Sequence, residues 1–378
     1  MKLRLPLVAV TTLALALGSM VGVYADQPGS ESATRTSDTF LASGLRSHGY
    51  PVRDWASQSA TSPTSPAATL SSSPSVQMGS SDDSSWLNSL ATSVNRNAAK
   101  TAVVGGPAAT PITCHSACTT MTGTVALIPV WVGAWAAADI TQWNSVLGNI
   151  VTSLGTGTAN SIAKVGHVLN TNTLYFTSKT KVAPSLQWVT NTSITAPTAT
   201  SVSDSNVATD INAFIAANPK IVPAGTTPIY MYIGAKTTRL TSGFGTKYCG
   251  WHSYGSTSTL KNVQYLAIQD FTSTYYGACA MQTVSPNANV GLDAMASVLT
   301  HEIDETLTDP FLNAWYDAAG AENADKCAWT FGTVTSASGY LYNVQLGSLK
   351  YLIQQNWLAN NLITTTGLVT SSACSITG

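Results

Sequence analysis

The chain holds four glutamates, Glu31, Glu302, Glu305 and Glu322. Three of them cluster beside a histidine, around the stretch Ser297-Val-Leu-Thr-His301-Glu302-Ile-Asp304-Glu305-Thr-Leu-Thr-Asp309-Pro310. Helical spacing places His301, Glu305 and Asp309 on one face. Leu292, Ala296, Leu299 and Ile303 fall on the opposite, core-facing side. Pro310 ends the helix. A metal-binding helix has this pattern, with two ligands at i and i+4 and a carboxylate at i+1. His301 and Glu305 are the expected ligands. Glu302 is placed to take a proton from a metal-activated water, as a general base does in hydrolysis.

A catalytic zinc needs three protein ligands and an open position. The third is expected downstream, where Asp317, Glu322 and Asp325 follow within 20 residues of Glu305. The fifth residue of the His-Glu-x-x-Glu pattern is a carboxylate rather than an imidazole. That lowers the positive charge of the site and leaves calcium as an alternative to zinc. The stretch resembles the gluzincin metallopeptidases, in which a Thr-Asp pair follows the second histidine, as Thr308-Asp309 does here. The resemblance implies a peptide substrate and a third ligand about 20 residues on, a role open to both Glu322 and Asp325. Asp309, Asp317, His252 and Tyr316 are expected as supporting or substrate contacts. A His-Glu pair on a helix also arises without any metal, its acids holding loops by hydrogen bonds. The scarcity of glutamate elsewhere argues against an incidental cluster.

The elements that must position these residues alternate in type. Apolar, β-branched runs predict strands at Val125–Val132, Ile229–Ile233 and Val263–Ile268, with a weaker one at Leu174–Thr177. Pro129 suggests that the first is an edge strand. Helical periodicity runs through Ile140, Trp143, Val146, Leu147, Ile150, Val151 and Leu154, and again through Val207, Ile211, Phe214 and Ile215. The second helix stops at Asn218-Pro219. A hairpin is expected from Tyr340–Gln345 and Lys350–Gln354, turning near Gly347. The fold class is α/β or α+β, a mixed sheet with packed helices that include a zincin-like active-site helix.

Residues 1–25 read as a secretory signal. Lys2 and Arg4 precede an apolar run, and Val23-Tyr24-Ala25 is a small-residue cleavage site. Residues 26–104 read as a Ser/Thr/Pro-rich linker or pro-segment, with a short helical pattern at Trp86–Val103. Residues 105–378 form the globular domain. Charged residues make up only 9% of the chain and the net charge is −1, so no basic surface for nucleic acid is expected. Nor is there a membrane span after the signal. Six cysteines behind a signal favour disulfides. Proximity in sequence suggests Cys114–Cys118, Cys249–Cys279 and Cys327–Cys374. The Cys114-His-Ser-Ala-Cys118 stretch lacks a second pair at zinc-finger spacing. His167 has apolar neighbours and reads as structural, and His48 and His115 carry no visible partner. Asn191-Thr-Ser193 is a glycosylation sequon. Neither a nucleophile elbow nor a phosphate-binding loop is present.

A longer resemblance joins several phrases in order. These are Gly105-Gly-Pro107, Ile128-Pro-Val-Trp-Val-Gly-Ala-Trp135, Cys249-Gly-Trp-His252, Gly291-Leu-Asp-Ala-Met-Ala-Ser-Val-Leu-Thr-His301-Glu302, Asn313-Ala-Trp-Tyr316 and Asp325-Lys-Cys327. Residues of about 105–374 are similar to the Exordium, or phosphate-induced protein 1, family. The resemblance implies a secreted protein associated with the cell wall. Two functions follow as expectations. One is a secreted zincin-like metallohydrolase acting on peptide. The other is a non-catalytic extracellular cell-wall or matrix protein in which the same acids hold a structural ion or form an acid cluster.

Overall fold

In the computed structural model, the described residues are 38–40, 46–48, 112–115, 119–155, 175, 184–197, 199–245, 247–255, 262–271, 279–318, 320–359 and 372–375. The leader, most of the Ser/Thr/Pro-rich segment, the helical pattern at Trp86–Val103 and His167 lie outside them. Of the expected strand at Leu174–Thr177, only Tyr175 is described, and it sits in a turn.

A mixed sheet carries the domain. In chain order its strands are β1 (Asp38–Phe40), β2 (Arg46–His48), β4 (Thr124–Val132), β5 (Ser185–Trp188), β6 (Ile194–Thr195), β8 (Thr226–Gly234), β10 (Trp251–Gly255) and β11 (Val263–Gln269), while β7 (Ser201–Val202) and β9 (Arg239–Leu240) form a separate parallel pair. Across the sheet the order is β1-β2-β10-β11-β8-β4-β5, with β6 also pairing β4. From β11 to β5 and β6 the pairing is parallel, while β1, β2 and β10 are antiparallel to their neighbours. The parallel strands are nearly continuous apolar runs, as strands covered on both faces require. Every residue of β11 is buried, as are eight of the nine in β4.

Pro129 therefore lies in a central strand, not at an edge. Its position explains how. The strand beside β4 changes from β5, which pairs up to Leu127, to β6, which begins at Trp131. The missing N–H of proline falls in that gap, and the Pro129 carbonyl accepts from Asn191 Nδ2 at 2.8 Å. The acceptor nitrogen of the sequon is thus engaged in holding the sheet.

Among the described residues three helices cover the sheet: α1 (Ala137–Gly155), α2 (Asp204–Ala217) and α3 (Val290–Thr308). Side chains alternate between faces along a strand. Trp131 of β4 meets Trp143 of α1 edge-on, at 6.5 Å between centroids. Tyr230, paired with Ile128 and so on the other face, meets Phe214 of α2. Helices α1 and α2 therefore lie on opposite faces. Helix α3 touches α1, β10 and β11 and shares the α1 face.

The expected late hairpin is present in altered form. Strands β15 (Val344–Leu346) and β16 (Leu349–Tyr351) turn at Gly347, whose φ of 63° suits glycine. Tyr340–Tyr342 (β14) pairs instead with Thr335–Ala337 (β13). A smaller core holds Ile112, Tyr175, Ala314, Trp315, Cys327 and Trp357. Near it β3 (Thr113–Cys114) pairs with β12 (Trp315–Tyr316), and β17 (Asn356–Ala359) pairs with β18 (Ser372–Ser375).

The disulfides Cys249–Cys279 and Cys327–Cys374 are formed as expected. Cys114 is also disulfide-bonded. Cys118, its expected partner, lies outside the described residues. Among the described residues no helix is long and apolar enough to cross a membrane.

Candidate metal centre

Helix α3 starts at Asn289, whose side chain accepts from Leu292 N at 3.1 Å. It is buried on every side from Gly291 to Thr308, not only along the expected apolar face. A helix so enclosed must satisfy its polar groups internally. Its threonines do so by donating back to carbonyls one turn earlier: Thr300 to Ala296 and Ser297, Thr306 to Glu302, and Thr308 to Asp304 and Glu305.

Strand register aims a second histidine at this helix. His252 pairs with Leu266, Leu266 with Met231, and Met231 with Pro129. Residues directly opposite share a face, and Pro129 shares that of Trp131, which meets α1. His252 therefore points to the layer that contains α3. Gly250 permits the close approach of strand and helix. A Cβ there would stand 2.5 Å from Val298 Cγ1 and 2.9 Å from Glu302 Oε1.

The result is a cluster of two buried imidazoles, three buried carboxylates and the part-buried Asp325. His301 Nε2 lies 3.0 Å from Glu305 Oε1 and 3.5 Å from Asp325 Oδ1. His252 Nε2 lies 3.0 Å from Glu322 Oε2 and 3.6 Å from Glu305 Oε2. Among the described residues two sets of potential ligands result, His252–Glu302–Glu305 and His301–Glu305–Asp325, each with its ligand atoms within 4.8 Å of one another. Both include Glu305. Glu302 belongs to the first set and not to the second, whose His301 it adjoins on α3. The relative exposure of His252, His301, Glu302, Glu305 and Glu322 is 1% or less. Burial, then Glu305, Asp309, Asp325 and Glu302, pushes Glu322 well above the ordinary carboxylate range. Burial pulls His301 down, but Glu305, Asp325 and Glu302 outweigh it and raise the imidazole well above its usual value. So many acids in a low-dielectric interior call for compensating positive charge.

The other expected residues are placed differently. Asp309 is the C-cap of α3, and its Oδ1 accepts from the amides of Asn313 and Ala314. Asp317 forms a buried ion pair with Lys326 at 2.9 Å. Tyr316 stacks on His115 at 3.7 Å between centroids and is absent from both ligand sets. The backbone of His48 pairs with that of His252. Gln354 was not anticipated. Its Nε2 stands 3.1 Å from His301 Nδ1 and donates to the Ala324 carbonyl at 2.8 Å, while its Oε1 accepts from Trp329 N at 3.2 Å. Nothing in the sequence marks it, because it comes from an irregular segment 53 residues after His301.

The family model for the phosphate-induced protein 1 conserved region matches residues 112–350, more than half of the chain. The chain is 41% identical over 87 residues to Protein EXORDIUM-like 3 of Arabidopsis thaliana, a stretch covering 19% of this chain and 26% of that protein. It is 32% identical over 91 residues to Protein EXORDIUM-like 5 of the same plant, covering 20% and 25%. The matched stretches thus span about a quarter of either relative. No solved structure matches.

Proposed function

The chain belongs to the phosphate-induced protein 1 family, and from that premise we propose that it is an extracellular wall or matrix protein of the Exordium type, braced internally by a metal ion. The relatives' names support the type, and the formed disulfides fit an oxidising, secretory compartment.

One observation carries the reading: all the potential ligands but the part-buried Asp325 are buried together. A hydrolytic zinc keeps one coordination position for water and needs a route for substrate. A structural ion is closed in by its ligands. The buried His252, His301, Glu302, Glu305 and Glu322, with the part-buried Asp325, suit the second case. Their donor chemistry fits a divalent ion, since carboxylates neutralise it and imidazole binds it softly. An imidazole ligand favours zinc over calcium, which takes oxygen ligands. The ion would offset the mutual repulsion of the acids and tie α3 to β10 and to the segment around residues 322–325.

The test is elemental analysis of the secreted full-length chain, paired with a peptide-library hydrolysis assay of the parent and Glu302→Gln. Bound metal without Glu302-dependent hydrolysis is the expected result. Hydrolysis that Glu302→Gln abolishes would establish the gluzincin-like peptidase instead. A chain free of metal would overturn the brace.

A further inference from the structure

We infer that the cluster holds two divalent ions, one in each ligand set, bridged by the Glu305 carboxylate; this rests on the metal-brace reading above.

Glu305 is common to both sets and turns a different oxygen to each. Its Oε1 lies 3.0 Å from His301 Nε2, and its Oε2 lies 3.6 Å from His252 Nε2. The imidazoles approach this one carboxylate from different elements, His301 from α3 and His252 from β10. Each stands with an acid that the other set lacks. Glu302 accompanies His252, and Asp325 Oδ1 lies 3.5 Å from His301 Nε2. Glu322 Oε2 adds a further donor on the His252 side, 3.0 Å from Nε2. Among the described residues no set contains both imidazoles. A single ion in either position therefore leaves the histidine and the private acid of the other set unused.

The spacings suit an ion on each side. Donors bound to one zinc at 2.0–2.2 Å stand roughly 3.3–3.5 Å apart at tetrahedral angles. The separations around the two imidazoles run from 3.0 to 3.6 Å, a span that includes that edge length. A carboxylate has about four lone-pair sites on its two oxygens. Glu305 can thus bind an ion at each oxygen while Oε1 also accepts from Asp325 N at 3.0 Å. That backbone bond holds the carboxylate between the sets, as outer hydrogen bonds orient metal ligands.

Charge points to the same number. A carboxylate binds metal in its deprotonated form, so Glu302, Glu305, Glu322 and Asp325 bring four negative charges. Lys326, the cation next to Asp325 in sequence, is engaged by Asp317 at 2.9 Å. One divalent ion leaves two of the four charges uncompensated in a low-dielectric interior, and two ions neutralise them all.

The experiment refolds the full-length parent and Asp325→Asn from chelator with excess zinc, desalts them, and counts bound zinc by native mass spectrometry. X-ray absorption is recorded on the zinc-loaded parent. The parent should hold two zinc ions, with a zinc–zinc distance of about 3.5–4 Å. Asp325→Asn should hold one. A parent with one zinc, or with two and no zinc–zinc scattering, would overturn the two-ion site and leave the brace standing. So would an Asp325→Asn variant that keeps both ions. If Asp325→Asn does not fold, the count and the scattering of the parent decide alone. A parent that binds no zinc or other metal would instead overturn the brace.

Discussion

His252 Nε2 lies 3.0 Å from Glu322 Oε2, joining a sheet strand to a loop 70 residues later. Neither group is exposed to solvent. A buried imidazole and carboxylate at this separation hold β10 and the segment after α3 in one arrangement, with or without an ion between them. The proposed ion, when bound, would add to the stability of that arrangement by mass action. At a free metal concentration of 100 times Kd the gain is about 2.7 kcal/mol. Chelator treatment should therefore lower the Tm of the secreted chain, and zinc should restore it. Differential scanning calorimetry with chelator and with added zinc measures this.

Gly250 is the point of closest approach between strand and helix. Gly250→Ala drives a methyl group into Val298 and Glu302 and should cost about 1–3 kcal/mol, in the range of overpacked cores. Gly255→Ala is the control, since its nearest neighbour would be Tyr265 Cε1 at 3.5 Å, an ordinary contact. Urea denaturation of the two variants should separate them clearly, and only the first should weaken zinc binding.

The buried Asp317–Lys326 pair makes a sharper case. Lys326 also lies over the Trp357 ring, 4.7 Å from its centroid. Lys326→Met leaves a buried carboxylate uncompensated and should cost about 3–5 kcal/mol. Adding Asp317→Leu should recover much of the loss, because an apolar pair of similar volume often replaces a buried ion pair without penalty. The double-mutant cycle in urea reads the difference.

Asp270 sits where β11 leaves the sheet, close to Gly291 at the start of α3. Burial raises its pKa from 3.8 to about 6, Lys236 lowers it and Asp139 raises it. The folded pKa thus exceeds the unfolded one. The contribution of Asp270 to stability is fully present below pH 4 and is lost as the pH rises through 6. After discounting for its partial exposure, this amounts to roughly 1–2 kcal/mol. Asp270→Asn should flatten the stability profile between pH 4 and 6, which urea midpoints across that range will show.

The Cys249–Cys279 bridge closes a separation of 30 residues beside Gly250 and His252. Replacing both cysteines by alanine should cost about 3–4 kcal/mol on the loop-entropy account. The measurement is the guanidinium midpoint of the variant against the parent.

Much of this fold is legible in the sequence. The run Val125–Val132 reads as a strand because it is apolar and β-branched. The runs from Ile140 and Val207 read as helices because their apolar residues recur at helical spacing. Pro129 misleads because the rule for proline concerns a missing donor, and a change of neighbour from β5 to β6 satisfies that rule inside the sheet. Tyr340–Tyr342 pairs with a Thr-Ser-Ala strand too polar to stand out. At the centre, His301, Glu302 and Glu305 are legible because one helix presents them together. His252 is less so, since only the register of three strand pairs aims it at α3. Gln354 is illegible, because it acts through backbone groups at Ala324 and Trp329.

The closed packing around α3 also governs time. An ion held as proposed, among described side chains at or near zero exposure, would leave chiefly when the layer between β10 and the segment after α3 opens. Its residence is then set by the rate of that opening, not by its affinity. Chelator strength would matter little, and mild denaturant or heat would matter a great deal. A protein so built would keep the metal it acquired while folding, whatever ions it later met.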